Sequence, residues 1–133
     1  MKICVSSTGE DLNANVDPRF GRCQYFLIVD ADTMDFESIS NESAMASGGA
    51  GIQAAQTVAK AGVEVVITGN MGPNAFQTLS AAGIKIFTDA TGMINEVMEK
   101  YKKGELGETE APSVGSHFGM GDTGRGLGRG RNL

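Results

Sequence analysis

The chain has 133 residues, a formal net charge of −5, 19 glycines, two cysteines, one histidine and no tryptophan. That length carries one core, and the acidic balance excludes broad electrostatic binding to nucleic acid, which needs a basic face. No apolar run is long enough to span a bilayer, and cysteines at positions 4 and 23 alone make no disulfide framework, so a reducing cytoplasm is the expected setting.

Met1-Lys2-Ile3-Cys4-Val5 leads straight into a short buried strand, 2–6, rather than reading as a signal peptide. Residues 7–22 form a polar loop with Gly9, Asn13, Asn15, Asp17 and Pro18, and 24–30 (QYFLIVD) are a second strand. After a break at Ala31-Asp32-Thr33, a third strand is expected at about 35–41, and so short a connection implies a hairpin. The pattern then changes period. Gly48-Gly49-Ala50-Gly51 opens a helix over about 51–61, with Ile52, Ala55, Val58 and Ala59 at helical spacing and Gly62 after its end. Val63 to Thr68 is a continuous apolar run that suits a central parallel strand. Pro73 fits the first turn of a second helix carrying Ala75, Phe76, Leu79 and Ala82. Ile84 to Thr88 is a fifth strand, and a last helix over about 93–103 presents Ile94, Val97, Met98 and Tyr101 on one face.

The order β-β-β-α-β-α-β-α predicts an α/β fold in three layers, with a mixed five-stranded sheet between helices. The predicted domain ends at 103. From Gly104 onward large apolar residues almost vanish, and 104–133 reads as a Gly-rich, disordered tail, acidic first and basic last (Arg125, Arg129, Arg131).

Ligands of open α/β sheets bind beyond the carboxyl ends of parallel strands. Here those ends are Ser6-Ser7, Gly69-Asn70-Met71-Gly72 and Thr88-Asp89, and loop 7–22 leaves the first of them. Two of these loops feed helix N-termini, which are anion sites. The segment Asp17-Pro18-Arg19-Phe20-Gly21-Arg22-Cys23 adds a thiol, a carboxylate and two guanidinium groups. Arg19 and Arg22 are expected to favour the Cys23 thiolate, the form that binds soft metals, and can hold an anion themselves. One soft ligand beside positive charge suits a small anionic metal cluster better than a bare cation. Each group also has a plainer reading. Cys23 can be a small apolar residue opening a strand, Asp17 can organise the turn before Pro18, and an arginine can simply pair with Asp17. Gly49 and Gly51 can bring backbone amides to a ligand or make a tight turn. His117 can be a mobile metal ligand or inert. Met71, Met93 and Met98 read as core or rim filler.

Catalysis finds little support. A hydrolytic triad needs a histidine near a nucleophile, and the only one lies in the tail. A two-metal nuclease needs converging carboxylates that the first strand lacks, and Cys4 and Cys23 are no C-x-x-C pair.

MKICVSS, VDPRFGRCQYFLIVD, GGAGIQAAQ and ITGNMGPNAFQTLSAAGIKIF, in this order, resemble the dinitrogenase iron-molybdenum cofactor biosynthesis family, the group of NifX- and NafY-type proteins and the C-terminal domain of NifB. The resemblance covers about residues 1–103. It implies a ribonuclease H-like topology and the non-catalytic binding and delivery of iron-sulfur or iron-molybdenum cluster precursors. Partners would then be cluster donor and acceptor proteins, with neither nucleic acid nor membrane, and the chain a monomer or weak dimer. Carried onto this sequence, the implication falls on Asp17, Arg19, Phe20, Arg22 and Cys23 in the loop, and on Gly69, Asn70 and Gly72 in the turn. Because 1–103 contains no histidine, the ligand role implied by the resemblance passes to Cys23. The rival reading is a regulatory or interaction module that binds a phosphate or nucleotide at the same glycine-rich rim.

Overall fold

The computed structural model describes residues 1–45 and 48–112. Its elements are β1 (Lys2–Ser7), β2 (Tyr25–Asp30), β3 (Phe36–Ser40), a single 3-10 turn (Glu42–Met45), α1 (Ala50–Lys60), β4 (Val65–Ile67), α2 (Pro73–Ala81), β5 (Lys85–Phe87) and α3 (Ile94–Lys102). The strands lie in one sheet in the order β3-β2-β1-β4-β5. β1 pairs antiparallel with β2 and parallel with β4, so it stands at the centre of a mixed sheet. The order of strands and helices is the one the sequence predicts. The 3-10 turn between β3 and α1 is an addition that no periodicity signals in four residues.

Alternation along β1 and β4 divides the core. Ile3, Val5, Val65 and Ile67 face one side with Ile94, Val97 and Met98 of α3. Cys4 and Val66 face the other, with Ala54, Ala55 and Val58 of α1 and Ala75 and Leu79 of α2. Two apolar faces therefore need two helical layers, which gives the three-layer arrangement. Met71 and Met98 are buried fillers, and Met93 stands half-exposed at the rim.

β4 is shorter than the apolar run 63–68 because regular pairing with both neighbours spans only 65–67. Hydrogen bonds from Glu64 N–H to the Lys2 carbonyl and from Thr68 N–H to the Phe87 carbonyl continue the ladder at either end. The hairpin between β2 and β3 closes on Asp30, whose Oδ1 accepts from the N–H groups of Asp32 (2.8 Å) and Thr33 (3.3 Å).

Contacts run past the boundary expected at 103. Leu106 packs on the α3 side of the core, Thr109 N–H donates to the Ile86 carbonyl (2.7 Å), and Thr109 Oγ1 accepts from Thr88 N–H (2.9 Å). Residues 105–109 thus lie against the outer edge of β5. Residues 113–133 of the predicted tail, with His117, lie outside the described residues.

Candidate functional site: a cleft between two helix N-termini

The loop after β1 folds back over the carboxyl ends of β1 and β4 because its backbone groups find partners there. Asp17 N–H donates to the Ser6 carbonyl (2.9 Å), Asn70 N–H to Pro18 (2.8 Å), and Phe20 N–H to Asn70 (3.3 Å). Arg19 and Asn70 thereby form a short parallel bridge. The approach is close enough to require glycine at 69, where an added Cβ would stand 2.6 Å from Pro18 Cα. Gly21 sits less tightly but still close, since its Cβ would lie 3.0 Å from Gly51 Cα. Phe20 anchors the loop in the core, its ring tilted against Phe26 at 5.3 Å. Beneath it, the Ser6 hydroxyl donates to the Asp17 carbonyl at 2.7 Å, so the Thr68 hydroxyl, also at 2.7 Å, donates to Ser6.

Asp17 is buried, and its Oδ1 accepts from the Arg19 N–H (2.9 Å) and from Arg19 Nε (3.3 Å). The carboxylate both closes the turn before Arg19 and steers its guanidinium, which remains mostly exposed. Arg22 points elsewhere and donates from Nη1 to the Ala44 carbonyl (2.9 Å), tying down the 3-10 turn.

Cys23 corrects the sequence expectation. It is fully buried, and its thiol donates to the Phe20 carbonyl at 3.3 Å. Burial pushes its pKa up to about 12, and the negative charge of Asp17 adds to the rise; hydrogen bonds from the Ser7 backbone and the Asn41 side chain oppose it without prevailing. Neither arginine is among the groups that shift it. The expectation that Arg19 and Arg22 hold a thiolate fails because one arginine is turned to Asp17 and the other to Ala44. Cys4 is likewise buried, and its pKa is raised by burial and by Cys23.

In front of the loop lies a cleft of about 450 Å³, lined by Arg19, Phe20, Gly21 and Asn70, by 49–52 at the start of α1, and by 72–75 at the start of α2. Of the residues singled out in the sequence, the cleft brings together Arg19, Phe20, Gly49, Gly51, Asn70 and Gly72. Asp17, Cys23 and Gly69 do not line it, and Arg22 is turned away to Ala44. The site residues singled out in the sequence did not include Gly21, Ala50, Ile52, Pro73, Asn74 and Ala75. For Ala50, Ile52, Asn74 and Ala75 the signal was positional: the first residues after a helix N-cap carry the free amides.

The charge of the cleft follows from those two helix starts. Neither N-cap, Gly49 or Gly72, has a side chain to cap the helix, and neither first turn holds an acidic residue. The third helix differs. Its first amides, Ile94 and Asn95, donate to the carbonyls of Ala14 and Leu12 at 2.9 and 3.0 Å, and Glu96 lies in its first turn. Among the described residues, two helix dipoles are thus left open toward one cleft, beside the Arg19 guanidinium. Such a concavity fits an anion. It does not fit a bare cation: among the described residues, no group of three or more His, Cys, Asp or Glu could hold a metal ion.

Comparison with known proteins agrees with this architecture. The apo form of the orange protein from Desulfovibrio gigas is 43% identical and superposes with a TM-score of 0.81 over 84% of this chain and 94% of that one. The NMR structure of a Thermotoga protein described as a NifB protein is 36% identical, with a TM-score of 0.70 over 80% of this chain and 91% of that one. An uncharacterised protein of Methanocaldococcus jannaschii is 31% identical over 101 residues, which are 74% of this chain and 86% of its own length. The family model described as dinitrogenase iron-molybdenum cofactor matches residues 1–104. The chain therefore belongs to the dinitrogenase iron-molybdenum cofactor family, and its fold is that of these small α/β relatives.

Proposed function

We propose that this protein is a non-catalytic cytoplasmic carrier that holds an anionic iron-sulfur or iron-molybdenum-sulfur cluster in the α1/α2 cleft and passes it between donor and acceptor proteins. The observation that carries the reading is the pair of uncapped, acid-free helix N-termini facing Arg19 across one cleft. Backbone amides of 50–52, 74 and 75 donate toward sulfide edges of the cargo, Arg19 offsets its charge, and Asp17 positions Arg19. Pro73, at the first position of α2, has no N–H, so α2 offers the cleft the amides of 74 and 75. Cys23 contributes by packing beneath the loop, since a buried, protonated thiol is a poor ligand. Holding by charge and hydrogen bonds suits a cargo that must leave again.

The test is anaerobic titration with iron and sulfide, and separately with an iron-molybdenum-sulfur complex, followed by visible absorbance and metal content. Wild type and Cys23→Ala take up cluster in a fixed ratio; Arg19→Ala binds at least roughly tenfold more weakly, as expected for losing a charge-assisted contact. Loss of uptake in a folded Cys23→Ala would restore thiolate ligation. No uptake by wild type, together with thermal stabilisation by inorganic phosphate, would move the cleft to the phosphate-binding reading.

A further inference from the structure

The two edges of the sheet are treated differently. The β5 edge is covered by the chain's own residues 105–109 through Thr109. Among the described residues, nothing covers the β3 edge. Asp30 N–H donates to the Asp35 carbonyl and Asn41 N–H to Gln24, so residues 35, 37, 39 and 41 turn their backbone groups inward to β2. The alternate residues Phe36, Ser38 and Ser40 turn theirs outward, and among the described residues none of these outward groups has a backbone partner. Two hollows flank this edge. One, of about 510 Å³, lies between Ile39 and Glu42 on one side and Gln53 and Thr57 of α1 on the other. The second, of about 230 Å³, lies at the other end, beside Asp30, Asp35 and Glu37.

We propose that β3 is a docking edge for an extended, basic segment of a partner protein, which adds to the sheet as a sixth strand. Main-chain hydrogen bonds to Phe36, Ser38 and Ser40 would supply affinity, and alternate side chains the selectivity. The register assigns the chemistry. Residues of the added strand opposite Asp35 and Glu37 lie on the α1 side and meet carboxylates, whereas those on the opposite face meet the exposed ring of Phe36. Glu10 stands on that face as well, 3.5 Å from the Ser38 hydroxyl. Asp30, Asp32, Asp35 and Glu37 outnumber the nearby cations, Lys2 and the terminal amine, which is itself paired with Asp32. The same charges disfavour a second copy pairing through its own β3, because acidic edges repel.

The probe is a short peptide alternating arginine and valine, with a glutamate-valine peptide as control, added to the full chain and followed by amide NMR. The arginine peptide should shift the Phe36, Ser38 and Ser40 N–H signals and slow their hydrogen exchange, while the control leaves them unchanged. Glu37→Lys should weaken binding roughly fivefold to tenfold. Ser38→Pro removes one outward N–H that the fold does not use, so it should keep the native spectrum and lose binding. Equal binding of both peptides, shifts confined to the α1/α2 cleft, no shifts at all, or a concentration-dependent dimer through β3 would each overturn the assignment. Cluster uptake is read separately, so this edge and the cleft stand or fall independently.

Discussion

Cys23 and Arg19 show how one carboxylate can set the fate of two neighbours. Asp17 is buried by the fold, draws Arg19 across the turn, and opposes ionisation of Cys23. The thiol chemistry follows with a definite sign. An unfolded Cys23 gives up its proton near its ordinary 9.0, the folded one only near about 12, so stability is untouched by this group below pH 9 and falls as pH rises through that window. Iodoacetamide at pH 8 should leave both cysteines of the native protein unmodified and label both in denaturant. Rapid native labelling of Cys23 would show an accessible thiolate instead. The spacing of Asp17, Arg19, Arg22 and Cys23 was visible in the sequence. Which of them face each other was not, because adjacent residues of a loop can point in any direction until distant backbone fixes them.

At the level of elements, the cleft exists because the loop after β1 is clamped between two glycines from other parts of the chain. Gly69 admits Pro18, and Gly21, having no side chain of its own, lies against the backbone of Gly51. Gly69→Ala forces backbone against a methyl, and should cost about 1–3 kcal/mol and weaken cluster uptake with it. Gly51→Ala is the contrasting case. Its Cβ meets only Ala75, the methyl at an ordinary 3.6 Å and the backbone nitrogen at 4.0 Å, so thermal stability should hold or rise slightly while the new methyl narrows the cleft. Chemical denaturation of both variants, paired with uptake, checks the distinction; equal destabilisation would remove it. The helices themselves were legible from Gly, Pro and apolar spacing, as were the strands from their apolar runs. The covering of β5 by 105–109 was not, because the segment has almost no apolar pattern and is held by backbone groups, one threonine hydroxyl and the single apolar side chain of Leu106.

Across the whole molecule, a net charge of −5 coexists with a cleft that we propose receives an anion. Local dipoles and one guanidinium decide the cleft, whereas the average charge governs long-range approach. A cargo held this way is sensitive to salt: raising ionic strength from about 0.05 to about 0.5 M should weaken uptake of the iron-molybdenum-sulfur complex several-fold. Uptake indifferent to salt would point to a covalent ligand. Saturation at roughly a hundredfold above Kd should add about 2.7 kcal/mol of stability, a rise in Tm on the order of 10 °C. No helix among the described residues is long and apolar enough to cross a membrane.

Periodicity and punctuation in the sequence determined the order of elements, the two-faced sheet and the glycine-rich rim. These are local properties, set by which residues alternate and which break a helix. Tertiary structure alone decided that Cys23 is core, that Arg22 serves the 3-10 turn, and that, among the described residues, two helix N-termini stay open while the third is plugged by 12–14, and one sheet edge is covered and the other free. Each depends on a partner far away in sequence, and burial or pairing by such a partner overrides what a side chain's own chemistry suggests.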